Sequence, residues 1–151
     1  MKVLPGGVIG LIFGWIPSFL WAIYIHWLLC TPGRGVKMPL MLSYAYNLGH
    51  AILFGILAVL LLFSFSFSGI KGIRLFWAAF FVSFFWSIIE EIFQAGIPER
   101  NASIPDILTS MFGAGFFLLL VFDILSKGKL SKLNLFFFVC ILVSASIATF
   151  L

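Results

Sequence analysis

Apolar residues run through this sequence in long blocks, and polar residues gather in the short gaps between them. Five blocks are long enough to cross a hydrocarbon core of ~30 Å, which takes about 20 helical residues. None of them alternates with the two-residue period of a membrane barrel strand. The pattern predicts an all-α bundle of about five transmembrane helices, with residues 1–151 forming one domain. The predicted helices span about 8–30, 47–67, 73–95, 104–126 and 133–151.

Composition excludes a soluble domain. Hydrophobic residues make up 63% of the chain and charged residues only 9%. In a soluble domain, roughly a quarter of all residues are charged. In a soluble protein, a net charge of +4 would indicate a nucleic-acid binding partner. Here the cations lie between the apolar blocks, where they set membrane topology. We therefore expect membrane lipid around the chain and no nucleic-acid partner.

The cations predict the orientation of the bundle. If five helices alternate in direction, six Lys and Arg residues lie at one membrane face and three at the other. The larger set is Lys2, Lys71, Arg74, Lys127, Lys129 and Lys132, and the smaller set is Arg34, Lys37 and Arg100. The positive-inside rule then places the N-terminus in the cytoplasm. The C-terminus and the connections after the first and third helices are expected on the outer side.

The connection between the first two helices spans Thr31–Tyr46 and contains two prolines and two glycines, which break helices. Its second half, Met38–Tyr46, is apolar and carries two tyrosines. Aromatic segments of this kind are typical of the membrane interface. We therefore expect Met38–Tyr46 to lie in the interface, before the second transmembrane helix begins.

The end of the first block carries a histidine and a cysteine. We interpret His26, which lies beside Trp27, as an interfacial residue rather than a ligand. Cys30 ends this block, whereas Cys140 lies inside the last one, so no disulfide between them is predicted. Neither cysteine indicates a redox compartment.

Polar residues whose burial in lipid costs free energy occur near the ends of three predicted helices. A charged side chain deep in a bilayer costs ~2.5–3.5 kcal/mol, so those that are present are expected to point inward and to be paired. These residues are Asn47 and His50 of the second helix, Glu90, Glu91 and Gln94 of the third, and Ser103, Asp106 and Ser110 of the fourth. Alternation of the helices brings these three ends to one membrane face. The topology alone therefore predicts one polar site there, with Arg100 in the connection beside it.

Helical geometry limits which side chains face this site. Glu91 and Gln94 lie three residues apart and share a face. Glu90 and Glu91 point about 100° apart, so only one of them is expected to face the bundle centre squarely. Ser103 and Asp106 fit an N-terminal capping arrangement, which leaves a purely structural role open for Asp106.

A motif extends from the third helix into the fourth. It consists of Glu91-x-x-Gln94, the turn Ile97-Pro98-Glu99-Arg100-Asn101-Ala102-Ser103, Asp106, and Gly113 with Gly115. This motif resembles the VanZ-like family of bacterial membrane proteins, and the resemblance covers about residues 47–118. Upstream, Asn47 and Leu48 stand where that family has an acid and a lysine before the equivalent of His50. Ser110 stands where the family usually has an asparagine.

The resemblance implies a cell-envelope role in the bacterial cytoplasmic membrane, without a defined reaction, and a contribution to resistance against teicoplanin-type glycopeptides. The expected activity is the binding of a lipid-linked or glycopeptide-like ligand near the outer leaflet. The expected ligand-binding residues are Asn47, His50, Glu91, Gln94, Arg100, Ser103, Asp106 and Ser110.

Two alternatives stay open. In the first, the protein is an enzyme that acts on a lipid headgroup or lipid-linked precursor, with Glu91, His50 and Asp106 as candidate catalytic residues. In the second, it is an assembly partner without a ligand, and Arg100 pairs with Glu91 or Asp106 only to hold the fold together. A His–Asp–Glu trio can bind a divalent cation, but the spacing is not diagnostic, so no cofactor and no metal ligand are assigned.

Overall fold

The computed structural model describes residues 8–31, 39–98, 100, 102–126 and 130–150. Its helices are α1 (Val8–Leu29), α2 (Leu40–Phe67), α3 (Ile73–Ala95), α4 (Ile104–Ser126) and α5 (Lys132–Phe150). All five are long and apolar enough to cross a membrane. The chain is therefore an all-α, multi-pass membrane protein, which confirms the predicted fold class.

Helix α2 begins at Leu40 rather than at about residue 47, so the predicted interfacial segment is mostly helix. Pro39 takes the N-cap position with an extended backbone (φ −54°, ψ 143°). A proline in front of an apolar segment can start a helix as well as end one, because its ring fixes φ and the first turn needs no N–H donor there. With 28 residues, α2 is about 42 Å long and exceeds the ~30 Å hydrocarbon core.

Helix α2 lies at the centre of the bundle and contacts each of the other four helices. Its closest neighbour is α4, because Gly113 lies directly against the backbone of Ala51 and has no room for a side chain. Small residues at a helix crossing let two backbones approach in this way. The buried core beside this crossing includes Phe54, Ala58 and Leu118. This close approach also fixes the positions of His50 and Ser110, each within one turn of the crossing.

The two ends of the bundle differ in polar content. At one end, Ser18 and Ser64 hydroxyls lie 2.6 Å apart, and Ser64 donates a 2.8 Å hydrogen bond to the carbonyl of Gly14. Such small hydroxyl contacts stabilise helix packing inside a membrane. The other end holds the last turns of α1 and α3 and the first turns of α2 and α4. We call it the acidic end, because Glu90, Glu91 and Asp106 all lie there.

The orientation of the bundle remains a prediction. Five of the cations on which it depends lie outside the described residues, namely Lys2, Arg34, Lys37, Lys127 and Lys129. Glu99 and Asn101 of the motif between α3 and α4 also lie outside them. The described part of the chain nevertheless shows which helix ends meet.

Candidate functional site

Five of the residues predicted for the site meet at the acidic end, and we call them the Glu91 cluster: His50, Glu91, Ser103, Asp106 and Ser110. The backbone N–H of Ser103 donates a hydrogen bond to Oε1 of Glu91. An acid of α3 thus satisfies a free N–H group at the start of α4, as such helix ends require. Ser110 Oγ lies 3.5 Å from Nδ1 of His50. Three helices therefore contribute to one cluster.

The Asp106 carboxylate is the member of the cluster that interacts electrostatically with the most others. Its charge acts on both His50 and Glu91. The Ser103 side chain forms a hydrogen bond with this carboxylate. Its Oδ1 atom is nevertheless buried without a hydrogen-bond partner among the described residues. Leaving a buried acceptor unpaired costs about 1–3 kcal/mol. The cluster therefore holds hydrogen-bonding capacity that the described residues do not use.

The members of the cluster differ in burial. His50, Glu91 and Ser110 are all buried, whereas Ser103 and Asp106 are half-buried. Two surface concavities of the described residues lie elsewhere. One of about 570 Å³ is formed by Gly69–Arg74 at the α2–α3 turn, and one of about 270 Å³ is lined by the start of α2 and the end of α5. Neither concavity is lined by a residue of the Glu91 cluster.

The other three predicted site residues have different surroundings. Asn47 donates a 3.0 Å hydrogen bond to Oγ1 of Thr149 and so links α2 to α5. Gln94 is buried, and its Nε2 atom has no partner within the described structure. Arg100 donates from Nε and Nη2 to the carbonyl of Thr31, at 3.3 and 3.2 Å.

The contact of Arg100 changes its expected role. Its guanidinium forms no ion pair with Glu91 or Asp106, both of which are described. It links the connection between α3 and α4 to the residue that follows Cys30. Arg100 still lies near enough to act electrostatically on Glu91 and Asp106. Two of the five guanidinium N–H donors are used in this contact, and three remain.

Glu90 forms a second cluster with α1, which the sequence analysis missed. Its Oε2 atom lies 3.0 Å from Nδ1 of His26 and 3.8 Å from Sγ of Cys30. The same nitrogen and sulfur atoms are 3.5 Å apart. We call His26, Cys30 and Glu90 the Glu90 cluster. It lies on the side of α3 that faces α1, whereas the Glu91 cluster lies on the side that faces α4.

This arrangement bears on two expectations. Glu90 and Glu91 are both buried, with 1% and 5% of their surfaces exposed, but they face different neighbouring helices. Both are covered because α3 packs against α1 through one acid and against α4 through the next. His26 keeps 45% of its side chain exposed, as an interfacial residue does, but its ring also contacts the buried acid.

One feature of the sequence points to the Glu90 cluster, namely the spacing between its two residues on α1. His26 and Cys30 are four residues apart, which places them on one face of a helix. No local pattern indicates that this face would meet Glu90, 60 residues after Cys30. Burial, followed by the charge of Glu90, raises the pKa of the Cys30 thiol. In the structure the Cys30 thiol donates to Oε2 of Glu90.

No family model, curated protein or solved structure matches the chain. Within the described ranges, five helices are long and apolar enough to span a membrane, so the fold is that of a multi-pass membrane protein. Cys30 and Cys140 are both free thiols, as the sequence analysis predicted. The resemblance to the VanZ-like family stays a prediction, and so does the role of each residue in the Glu91 cluster.

Proposed function

We propose that this protein is a VanZ-like component of the bacterial cell envelope that binds the headgroup of a lipid-linked or glycopeptide-like ligand at the Glu91 cluster. In this proposal the N-terminus is cytoplasmic, the acidic end faces the outer leaflet, and binding contributes to resistance against teicoplanin-type glycopeptides. The observation that carries the proposal is the unpaired, buried Oδ1 of Asp106 beside His50 and Glu91.

The balance of hydrogen-bonding groups favours a particular headgroup chemistry. The carboxylates of Glu91 and Asp106 are acceptors when ionised, so they suit the hydroxyl groups of a sugar. They repel a bare phosphate placed at the same point. A phosphate fits instead beside Arg100, whose remaining N–H groups form a planar fork. Together these groups match a sugar phosphate better than either part alone.

The position of the cluster fits a lipid-linked molecule. Ionisable residues at helix ends lie near the membrane interface, where they cost less than at the bilayer centre. Exposed apolar side chains flank the cluster, including Ile92 and Ile104. A ligand with a polar headgroup and an apolar chain can therefore contact both surfaces while its chain stays in lipid.

A second candidate function is enzymatic. It is favoured by the 3.5 Å contact between Ser110 Oγ and His50 Nδ1, with Asp106 acting electrostatically on the imidazole. In this function His50 would accept a proton from a hydroxyl group, and Glu91 or Asp106 would act as the acid. Such an enzyme would act on a lipid headgroup or lipid-linked precursor. It would convert the lipid, whereas a binding protein would return it unchanged.

Binding by purified protein tests the proposal. We suggest a short-chain polyprenyl phosphate carrying N-acetylglucosamine, and teicoplanin, as the two probes, with affinity measured in detergent. Loss of one charge-assisted hydrogen bond is worth about 1.5–3 kcal/mol, so E91Q and D106N are each expected to weaken binding by about tenfold or more. The matched control is E90Q, which changes the adjacent acid and should leave binding of the probe intact.

The outcomes separate the candidate functions. Wild-type binding of neither probe, or equal binding by wild type, E91Q and D106N, contradicts the proposal. Lower thermal stability of E91Q and D106N without any wild-type binding indicates the purely structural alternative. Conversion of the polyprenyl probe to a new product supports the enzyme. In cells, expression in a teicoplanin-susceptible bacterium should lower susceptibility, and E91Q should abolish this effect.

A further inference from the structure

We propose that the Glu90 cluster is a binding site for a divalent cation of the zinc class. The ligands are Nδ1 of His26, Sγ of Cys30 and Oε2 of Glu90, which all lie within 4.8 Å of one another. These three residues come from two helices, α1 and α3, that no sequence pattern connects. This inference is independent of the proposed function, since it involves no member of the Glu91 cluster.

The distances between the three atoms fit a tetrahedral ion. A tetrahedral Zn²⁺ with bonds of ~2.0–2.3 Å places nitrogen, oxygen and sulfur ligands about 3.4–3.6 Å from one another. In the structure the corresponding separations are 3.0 Å (nitrogen to oxygen), 3.5 Å (nitrogen to sulfur) and 3.8 Å (oxygen to sulfur). Small side-chain rotations are therefore sufficient to bring all three atoms to bonding distance from one ion.

Glu90 supplies an independent indication of a ligand. Only 1% of its surface is exposed, and its Oε1 atom has no hydrogen-bond partner within the described structure. A buried carboxylate with unmet acceptor capacity is costly in a membrane protein, since its charge has been removed from water. A cation bonded to the Glu90 carboxylate compensates that charge directly.

The charges of the ligands match a divalent ion. Binding requires the thiolate form of Cys30, the carboxylate form of Glu90 and a neutral imidazole at His26. Two negative charges and one doubly charged cation give a neutral complex. Such a complex is better suited to a position among membrane helices than an isolated acid, because no net charge has to be desolvated.

The ligand types select the class of cation. Mg²⁺ and Ca²⁺ prefer oxygen ligands alone, whereas a thiolate with an imidazole suits Zn²⁺ and its neighbours among the transition metals. Three protein ligands leave a fourth position open, as in catalytic rather than structural zinc sites. His26 is 45% exposed, so water or an external ligand can reach that position.

Two further contacts hold the ligands in place. The ring of Phe93 packs edge-on against the imidazole of His26, with 5.1 Å between ring centroids. Arg100 donates two hydrogen bonds to the carbonyl of Thr31, the residue that follows Cys30. These contacts tie the end of α1, which carries both His26 and Cys30, to α3 and to the connection that follows it.

Metal content provides the first test. Purified full-length protein in detergent is equilibrated with Zn²⁺, freed of unbound metal, and measured for zinc per chain, with one ion expected. The chain offers a matched control for every ligand. H26Q, C30S and E90Q are expected to lose at least about tenfold in affinity, whereas H50Q, C140S and E91Q keep it. Equal affinities in the two sets would overturn the proposal.

A second test does not depend on removing a ligand. In C140S protein, Cys30 is the single remaining cysteine, and its reaction with a maleimide is followed with and without Zn²⁺. Protection by about tenfold or more, reversed by a chelator, is expected if the sulfur binds the ion. Co²⁺ should also produce a thiolate-to-metal charge-transfer band that C30S lacks. Unprotected Cys30 in folded C140S protein at saturating Zn²⁺ would overturn the proposal.

Discussion

Glu90 and Glu91 are neighbours on one helix, yet they have different partners. Glu91 accepts a hydrogen bond from a backbone N–H of α4 and lies near His50 and Asp106. Glu90 contacts an imidazole and a thiol of α1. Among the described residues, only the second environment brings three possible metal-ligand atoms within 4.8 Å of one another. The comparison shows that the packing of the neighbouring helix, rather than position along the sequence, decides which partners a buried acid meets.

The largest expected effect comes from separating α2 and α4. In G113A the added methyl group overlaps the backbone of Ala51, which cannot move without displacing a helix. Overpacking of this kind costs about 3 kcal/mol at the upper end of its range. We expect a lower melting temperature in detergent and weaker binding of the sugar-phosphate probe. Zinc binding should persist, because α1 and α3 are not moved apart.

The control for this change is another helical glycine. Gly10 has nothing within 4 Å of the position of an added methyl group. G10A should therefore melt at the wild-type temperature or slightly above it, since alanine favours helix formation. A G113A protein as stable as G10A would contradict the close approach of α2 and α4.

A smaller effect is expected at the contact between Glu91 and α4. S103P removes the backbone N–H that donates to Glu91 and leaves a buried carboxylate without that partner. The expected cost is about 2 kcal/mol of stability, together with weaker probe binding. S103A keeps the backbone donor and should be milder in both measurements. If S103P and S103A behave alike, the Glu91 contact does not stabilise the start of α4.

The smallest effect is expected at Asn47, which the sequence analysis placed in the binding site. N47A loses the hydrogen bond to Thr149 and should be destabilised by about 1 kcal/mol. T149V removes the same bond from the other side and should match it. Affinities for zinc and for the headgroup probe should both stay at wild-type values. A loss of probe affinity in N47A alone would return Asn47 to the site.

Most of the fold follows from the apolar pattern. Helices α3 and α4 have the predicted bounds, because long apolar blocks between clear breaks leave few alternatives. The start of α2 was missed because Pro39 was interpreted as part of a helix-breaking connection, whereas it caps a longer helix. Proline permits both outcomes, and contacts of Leu40–Tyr46 with the rest of the bundle are needed to distinguish them.

The two clusters differed in how far they could be predicted. Topology alone brings together the ends of α2, α3 and α4, and with them His50, Glu91 and Asp106. It does not say which face of α1 meets α3, so the partnership of Glu90 with His26 could not be predicted. That contact depends on how α1 packs against α3. Helix packing in a membrane is determined by small residues and side-chain shapes along both helices, many of them far from Glu90 in the sequence.

Crossed binding measurements on E90Q and E91Q test most directly whether two adjacent acids serve two independent sites. Each protein is titrated with Zn²⁺ and, separately, with the polyprenyl phosphate sugar. E90Q should lose at least about tenfold in zinc affinity and keep the sugar phosphate, and E91Q should do the opposite. If both substitutions weaken both ligands equally, or if neither weakens either, the clusters do not function as two separate sites.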